Sequence, residues 1–178
     1  QVLLDLLQED EANGWALEQL TASRANAADW PQVFSLLLRR AELALSSEEQ
    51  AQLRHQAARV AKQELHHVDQ AIELYRELLD ASDGGVGDEV AARELRELYT
   101  QAQRPEDLAD LLGRLIDHAR TPERSALRLE LAELQRTQLN KPDDAIDTLR
   151  SVLDDERTNV QAVELLSRLY VQLGRHED

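Results

Sequence analysis

The feature that most constrains this chain is an internal repeat. Displacing the sequence by 74 residues lays Leu53, Arg54, Ala58, Leu65, Asp69, Ala71, Ile72, Arg76, Leu79 and Asp80 on Leu127, Arg128, Ala132, Leu139, Asp143, Ala145, Ile146, Arg150, Leu153 and Asp154. These are 10 identities over the 28 positions from 53 to 80, where roughly two or three would fall by chance in a chain so rich in Leu, Ala, Arg and Glu. Farther along the displacement drops to 71, pairing Ala91, Leu95, Leu98 and Tyr99 with Ala162, Leu166, Leu169 and Tyr170. The three lost residues fall at Gly84-Gly85-Val86-Gly87, which reads as a lengthened loop. A third copy lies at displacement 146, where Leu3, Leu7, Asn13, Glu18 and Leu20 meet Leu149, Leu153, Asn159, Glu164 and Leu166.

Within each copy the apolar residues recur at three and four, as in Leu127, Leu131 and Leu134, or Leu108, Leu111, Leu112, Leu115, Ile116 and Ala119. Ala71, Leu108 and Ala145 are 37 residues apart, so the unit is a helix pair. The spacing predicts helices at 2–8, 15–26, 30–45, 48–65, 68–82, 88–103, 105–119, 122–139, 142–155 and 160–173. Pro31, Pro105, Pro122 and Pro142 all stand at helix starts, where a missing N–H costs nothing. Ser47 with Gln50, and Asp29 with Gln32, have capping-box spacing. One apolar stripe per helix cannot be hidden inside a single pair, so neighbouring pairs must stack. The expected fold is all-α, an α-solenoid of antiparallel helix hairpins wound as a right-handed superhelix of about ten helices. One array is expected over 1–178. The run Val2, Leu3, Leu4, Leu6, Leu7 at one end and Gly174-Arg175-His176-Glu177-Asp178 at the other read as an excerpt of a longer array, the latter as a helix stop followed by an acidic first turn.

Composition narrows the function classes. With 20 Lys and Arg against 35 Asp and Glu the formal charge is −15, which argues against a nucleic-acid partner. No run of roughly 18 apolar residues is present, so direct membrane insertion is not expected. Without cysteine, disulfides and thiolate chemistry are excluded, and the compartment stays open, with the cytoplasm favoured. Lys62 and Lys141 are the only lysines, and such Arg-rich usage suits a bacterial high-GC genome.

These residues resemble the tetratricopeptide repeat. Asp69-Gln70-Ala71-Ile72 and Asp143-Asp144-Ala145-Ile146, each followed by an apolar residue at Tyr75 or Leu149, are similar to the opening of that family's second helix. Ala162, Glu164, Leu165, Leu166, Leu169, Tyr170 and Gly174 resemble its first helix, and Trp30 its aromatic at the second helix start. Departures are the 37-residue spacing against about 34, Ala61 and Gln135 near the family's tyrosine, and Arg96 near a small-residue position. The resemblance implies a protein-binding scaffold with a concave groove.

No zinc-protease, phosphate-loop, nucleophile-elbow or dinucleotide motif occurs. No cofactor or metal and no enzymatic activity are expected. The glycine run lacks a lysine and follows a helix, which makes it a plain loop. His66 and His67 are adjacent and diverge by about 100° on a helix, so they read as a solvated turn. The abundant carboxylates read as solubility and helix-start charge. Trp30 reads as a core wedge, and Trp15 as either an anchor or a packing residue.

Binding candidates come from polar stripes. His55, Arg59 and Lys62 recur at four and three, opposite the buried face, and by the same spacing come Arg93, Glu97 and Gln101, then Glu133 and Arg136, then Glu164 and Arg168. The family geometry implies that these face the groove, where a basic stripe would steer an acidic or phosphorylated segment of a partner protein or peptide. The alternatives are a row of solvated pairs, a structural spacer, or a substrate-presenting helical domain of a larger enzyme or envelope assembly. The ends of the array offer a route to self-association.

Overall fold

The computed structural model describes residues 2–174, and these form ten α-helices with no strand among them. The helices are α1 (Val2–Glu9), α2 (Gly14–Asn26), α3 (Trp30–Leu43), α4 (Ser47–Gln63), α5 (Val68–Ala81), α6 (Glu89–Gln101), α7 (Pro105–His118), α8 (Glu123–Thr137), α9 (Pro142–Asp155) and α10 (Val160–Leu173). Each expected boundary falls within about two residues of the observed one. The expectation of a further helix start at residues 175–178 lies outside the described residues.

One turn recurs and dictates the antiparallel geometry. Just past α2, α4, α6 and α8 a single residue enters left-handed backbone: Ala28 (φ 53°), His66 (φ 55°), Gln103 (φ 53°) and Asn140 (φ 53°). The next N–H then reaches back into the helix just ended, from Asp29 to Arg24 O, His67 to Ala61 O, Arg104 to Tyr99 O and Lys141 to Gln135 O, at 2.8–2.9 Å. Carbonyls that the helix end would orphan are thereby satisfied, and the chain reverses. Proline follows within two or three residues at Pro31, Pro105 and Pro142, where its fixed φ starts the next helix.

The described residues divide into two compact units. The first holds the chain up to Asp83 together with Gly87–Leu98; the second holds Gly84–Val86 and the chain from Tyr99 on. In the first, Leu17, Leu37, Leu53, Ile72, Tyr75 and Leu79 are buried, and Ala57, Ala58, Ala61 and Ala71 are fully enclosed. Such alanines allow close approach of helix to helix. In the second, Ala132, Ala145, Ile146, Leu149, Val152, Ala162 and Leu169 form the core. The repeat extends to polar contacts. Arg54 of α4 reaches Glu77 of α5 at 3.8 Å. Its counterpart Arg128 of α8 reaches Ser151 O of α9 at 2.9 Å and Asp155 at 2.8 Å.

Two cap assignments need correction. The cap of α4 is Ser46, not Ser47: its hydroxyl accepts from Glu49 N at 3.2 Å, while Gln50 donates to Ala41 O at 3.3 Å. Asp29 precedes α3 but makes no side-chain cap, because its carboxylate pairs with Arg24 at 3.3 Å. The glycine run forms a short turn, with Gly84 and Gly85 at φ 64° and 68°. In the second unit Arg114 donates to Gly85 O at 2.5 Å, so a structural contact already occupies that loop.

Candidate partner-binding groove

In the first unit the α4 stripe is not a free row of cations. His55 Nε2 lies 2.7 Å from Asp88 Oδ2, and the other oxygen of Asp88 caps α6 by accepting from Ala91 N at 2.8 Å. Lys62 Nζ donates to Glu94 Oε2 and Glu97 Oε2 of α6, both at 2.8 Å. The side chains of Lys62 and Glu94 are only 17% and 19% exposed. Burial pulls the Lys62 pKa down, but hydrogen bonds and attraction from Glu94 and Glu97 prevail and hold it above its usual value. The hydrogen bond from Lys62 holds Glu94 below the ordinary carboxylate value, against the opposing effect of burial. Burial, reinforced by Glu94, raises the nearby Tyr75 hydroxyl. Lys62 therefore bridges α4 to α6. Arg93 is exposed and lies 3.3 Å from Glu94. Arg59 is exposed and has no ion-pair partner among the described residues.

The second unit carries the same backbone positions with different chemistry. By the 74- and 71-residue displacements, Lys62 corresponds to Arg136, Arg59 to Glu133, His55 to Leu129, Glu94 to Leu165 and Glu97 to Arg168. Both carboxylates that held the lysine are gone. Arg136 turns back along its own helix to Glu133, at 2.5 Å and 3.1 Å, and that hydrogen bond raises its pKa. Arg168 pairs within α10 with Glu164 at 3.6 Å. Asn159 replaces Asp88 and caps α10 by accepting from Ala162 N at 3.0 Å, with no histidine to hold.

Without that bridge, a groove of about 870 Å³ lies open on α8 and α10, with further lining from Thr100 and Leu108. Leu129, Leu134 and Leu165 give it an apolar base, and Glu130, Glu133, Arg136 and Arg168 a mixed-charge rim. Of the residues singled out in the sequence, Glu133, Arg136 and Arg168 line this groove; Glu164 reaches it through Arg168, and Gln101 adjoins the lining residue Thr100. His55, Arg59, Lys62, Arg93 and Glu97 belong to the first unit. The leucines went unnoticed in the sequence because they read as core stripe. Their signal was the exchange of polar residues for leucine between repeat copies. Among the described residues no cluster of His, Asp or Glu could hold a metal, and no helix is long and apolar enough to cross a membrane.

No family model and no curated protein matches the chain. Solved structures do. MamA of AMB-1 aligns over 94% of this chain and 86% of its own at 21% identity, with a TM-score of 0.52. YrrB, a tetratricopeptide-repeat protein described as having an unusual peptide-binding site, aligns over 99% and 86% at 12% identity, with a TM-score of 0.50. The fold is tetratricopeptide-repeat-like. In that fold the left-handed residue after α2, α4, α6 and α8 is the hairpin turn, and the α8 and α10 faces that line the groove belong to first helices of their hairpins.

Proposed function

We propose that the chain is a non-enzymatic protein-interaction scaffold whose second unit holds a partner segment against α8 and α10 by its apolar side chains. The observation that carries this reading is the open groove of about 870 Å³ at the repeat position where the first unit is closed by Lys62. A groove of this size with an apolar base and few polar groups is typical of a ligand site. The peptide-binding description of YrrB, which shares the fold, agrees with it. The rim arginines orient the segment, and the leucines supply most of the affinity.

The test is selection of a random heptapeptide library on the protein, followed by affinities for the Leu165→Gln, Arg168→Glu double variant. Selected peptides should lose about tenfold or more in affinity; equal binding to both chains would remove the groove from the account.

A structural-spacer reading draws on α10. Val163 is 50% exposed at the repeat position where Ala92 of α6 is 7% exposed, and Val171 is also exposed. A helix docked there would leave the isolated chain prone to self-association, which Val163→Lys should abolish in sedimentation measurements.

A further inference from the structure

The first unit carries a second exposed trough, lined from α2 by Glu18, Thr21, Ala22 and Ala25, from α3 by Val33, Leu37 and Arg40, and from α4 by Gln56, Arg59 and Val60, with a volume of about 380 Å³. Its position on α4 is one helix away from the Lys62 bridge, and its occupancy does not depend on the groove of the second unit. The internal repeat shows what is special about it. On α2 the residues Trp15, Glu18, Ala22 and Ala25 follow one another at three, four and three, so they lie along a single stripe. Their counterparts on α10, 146 residues later, are Gln161, Glu164, Arg168 and Val171, and on α6, 75 residues later, Val90, Arg93, Glu97 and Thr100. Where the other copies place long polar side chains, α2 places two alanines and a tryptophan. The alanines leave room for a guest side chain between α2 and α4.

Trp15 is 59% exposed one turn before Glu18, an arrangement that leaves an indole face free at the end of the trough. Charge completes the pattern. Arg40 stands 4.0 Å from Glu18, which accounts for one guanidinium, while Arg59 is exposed and without a partner among the described residues. In a molecule of net charge −15, a cation left without an intramolecular acid beside an apolar trough has electrostatic complementarity only to an added anion.

We infer that this trough is a binding site for a peptide segment pairing a bulky apolar residue with an Asp or Glu: the apolar side chain enters between α2 and α4, the peptide stacks on Trp15, and the carboxylate pairs with Arg59. Arginine suits that task because its planar fork matches a carboxylate in two parallel hydrogen bonds.

The experiment selects a random heptapeptide library on the Leu165→Gln, Arg168→Glu chain, in which the groove of the second unit is altered, so that success or failure here is separate from success or failure there. The expected sequences place Asp or Glu beside Leu, Phe or Trp. Their affinity should fall about tenfold or more with Arg59→Glu, several-fold with Trp15→Ala, and steadily with added salt. Arg59 and Trp15 are exposed, and circular dichroism confirms that the variants fold. Failure to enrich any peptide, enrichment of sequences without an acid, or unchanged affinity for Arg59→Glu would each overturn the inference.

Discussion

Helices α4 and α8 descend from one sequence pattern, yet one faces its neighbour through charge and the other through leucine. On α4, His55 and Lys62 engage Asp88, Glu94 and Glu97 of α6. On α8, Leu129 and a self-paired Arg136 leave the approach to α10 open. The difference shows that in a repeat fold the buried stripe specifies the scaffold, while a few exchanges on the opposite face decide whether a groove is filled from within or kept for another molecule.

The comparison is tested most severely in the cores. Leu79 is fully enclosed, whereas its counterpart Leu153 is only partly buried. Leu79→Ala should destabilise by about 3 kcal/mol or more and Leu153→Ala by about 1 kcal/mol, because the cost scales with the cavity left behind; equal shifts in urea midpoints would contradict the assigned burial. Next in size is the bridge itself. Lys62→Met leaves the mostly buried Glu94 carboxylate unpaired and should cost roughly 1–3 kcal/mol. Arg136→Met removes a pair within one helix and should cost less than about 1 kcal/mol.

The pH dependence follows from the same bridge. Glu94 has its pKa lowered in the folded chain, so its contribution is present above the ordinary value of 4.5 and is lost as pH falls through the folded value. Lys62, with a raised pKa, contributes below 10.5, and that contribution is lost as pH rises through its folded value. Glu94→Gln should therefore flatten the acid limb of a stability profile, whereas Glu133→Gln in the second unit should leave it nearly unchanged. The smallest effect concerns the shared turn: Ala28→Gly relieves left-handed strain and should stabilise by about 0.5–1 kcal/mol in thermal melts.

Much of the scaffold was legible in the sequence because each helix carries its own start, stop and stripe. Proline placement and the 37-residue spacing located the hairpins, and Ala71 and Ala145 proved to be enclosed. The groove was legible only in part. Spacing put Glu133, Arg136 and Arg168 on one surface, but it could not show that Lys62 is consumed by residues more than 30 positions away. Nor does helical periodicity distinguish Leu129 or Leu165, half-buried beside an opening, from a leucine sealed in the core. Such pairings depend on packing between hairpins, which repeat displacement detects only when the copies are compared residue by residue.

The most direct measurement is amide chemical-shift mapping with a peptide selected on the Arg59→Glu chain, so that the α2 trough does not compete. The account predicts perturbations concentrated on Leu129, Glu133, Leu165 and Arg168, with the Lys62 and Glu94 amides unmoved. Perturbations centred on Lys62 and Glu94, with α8 and α10 silent, would contradict it.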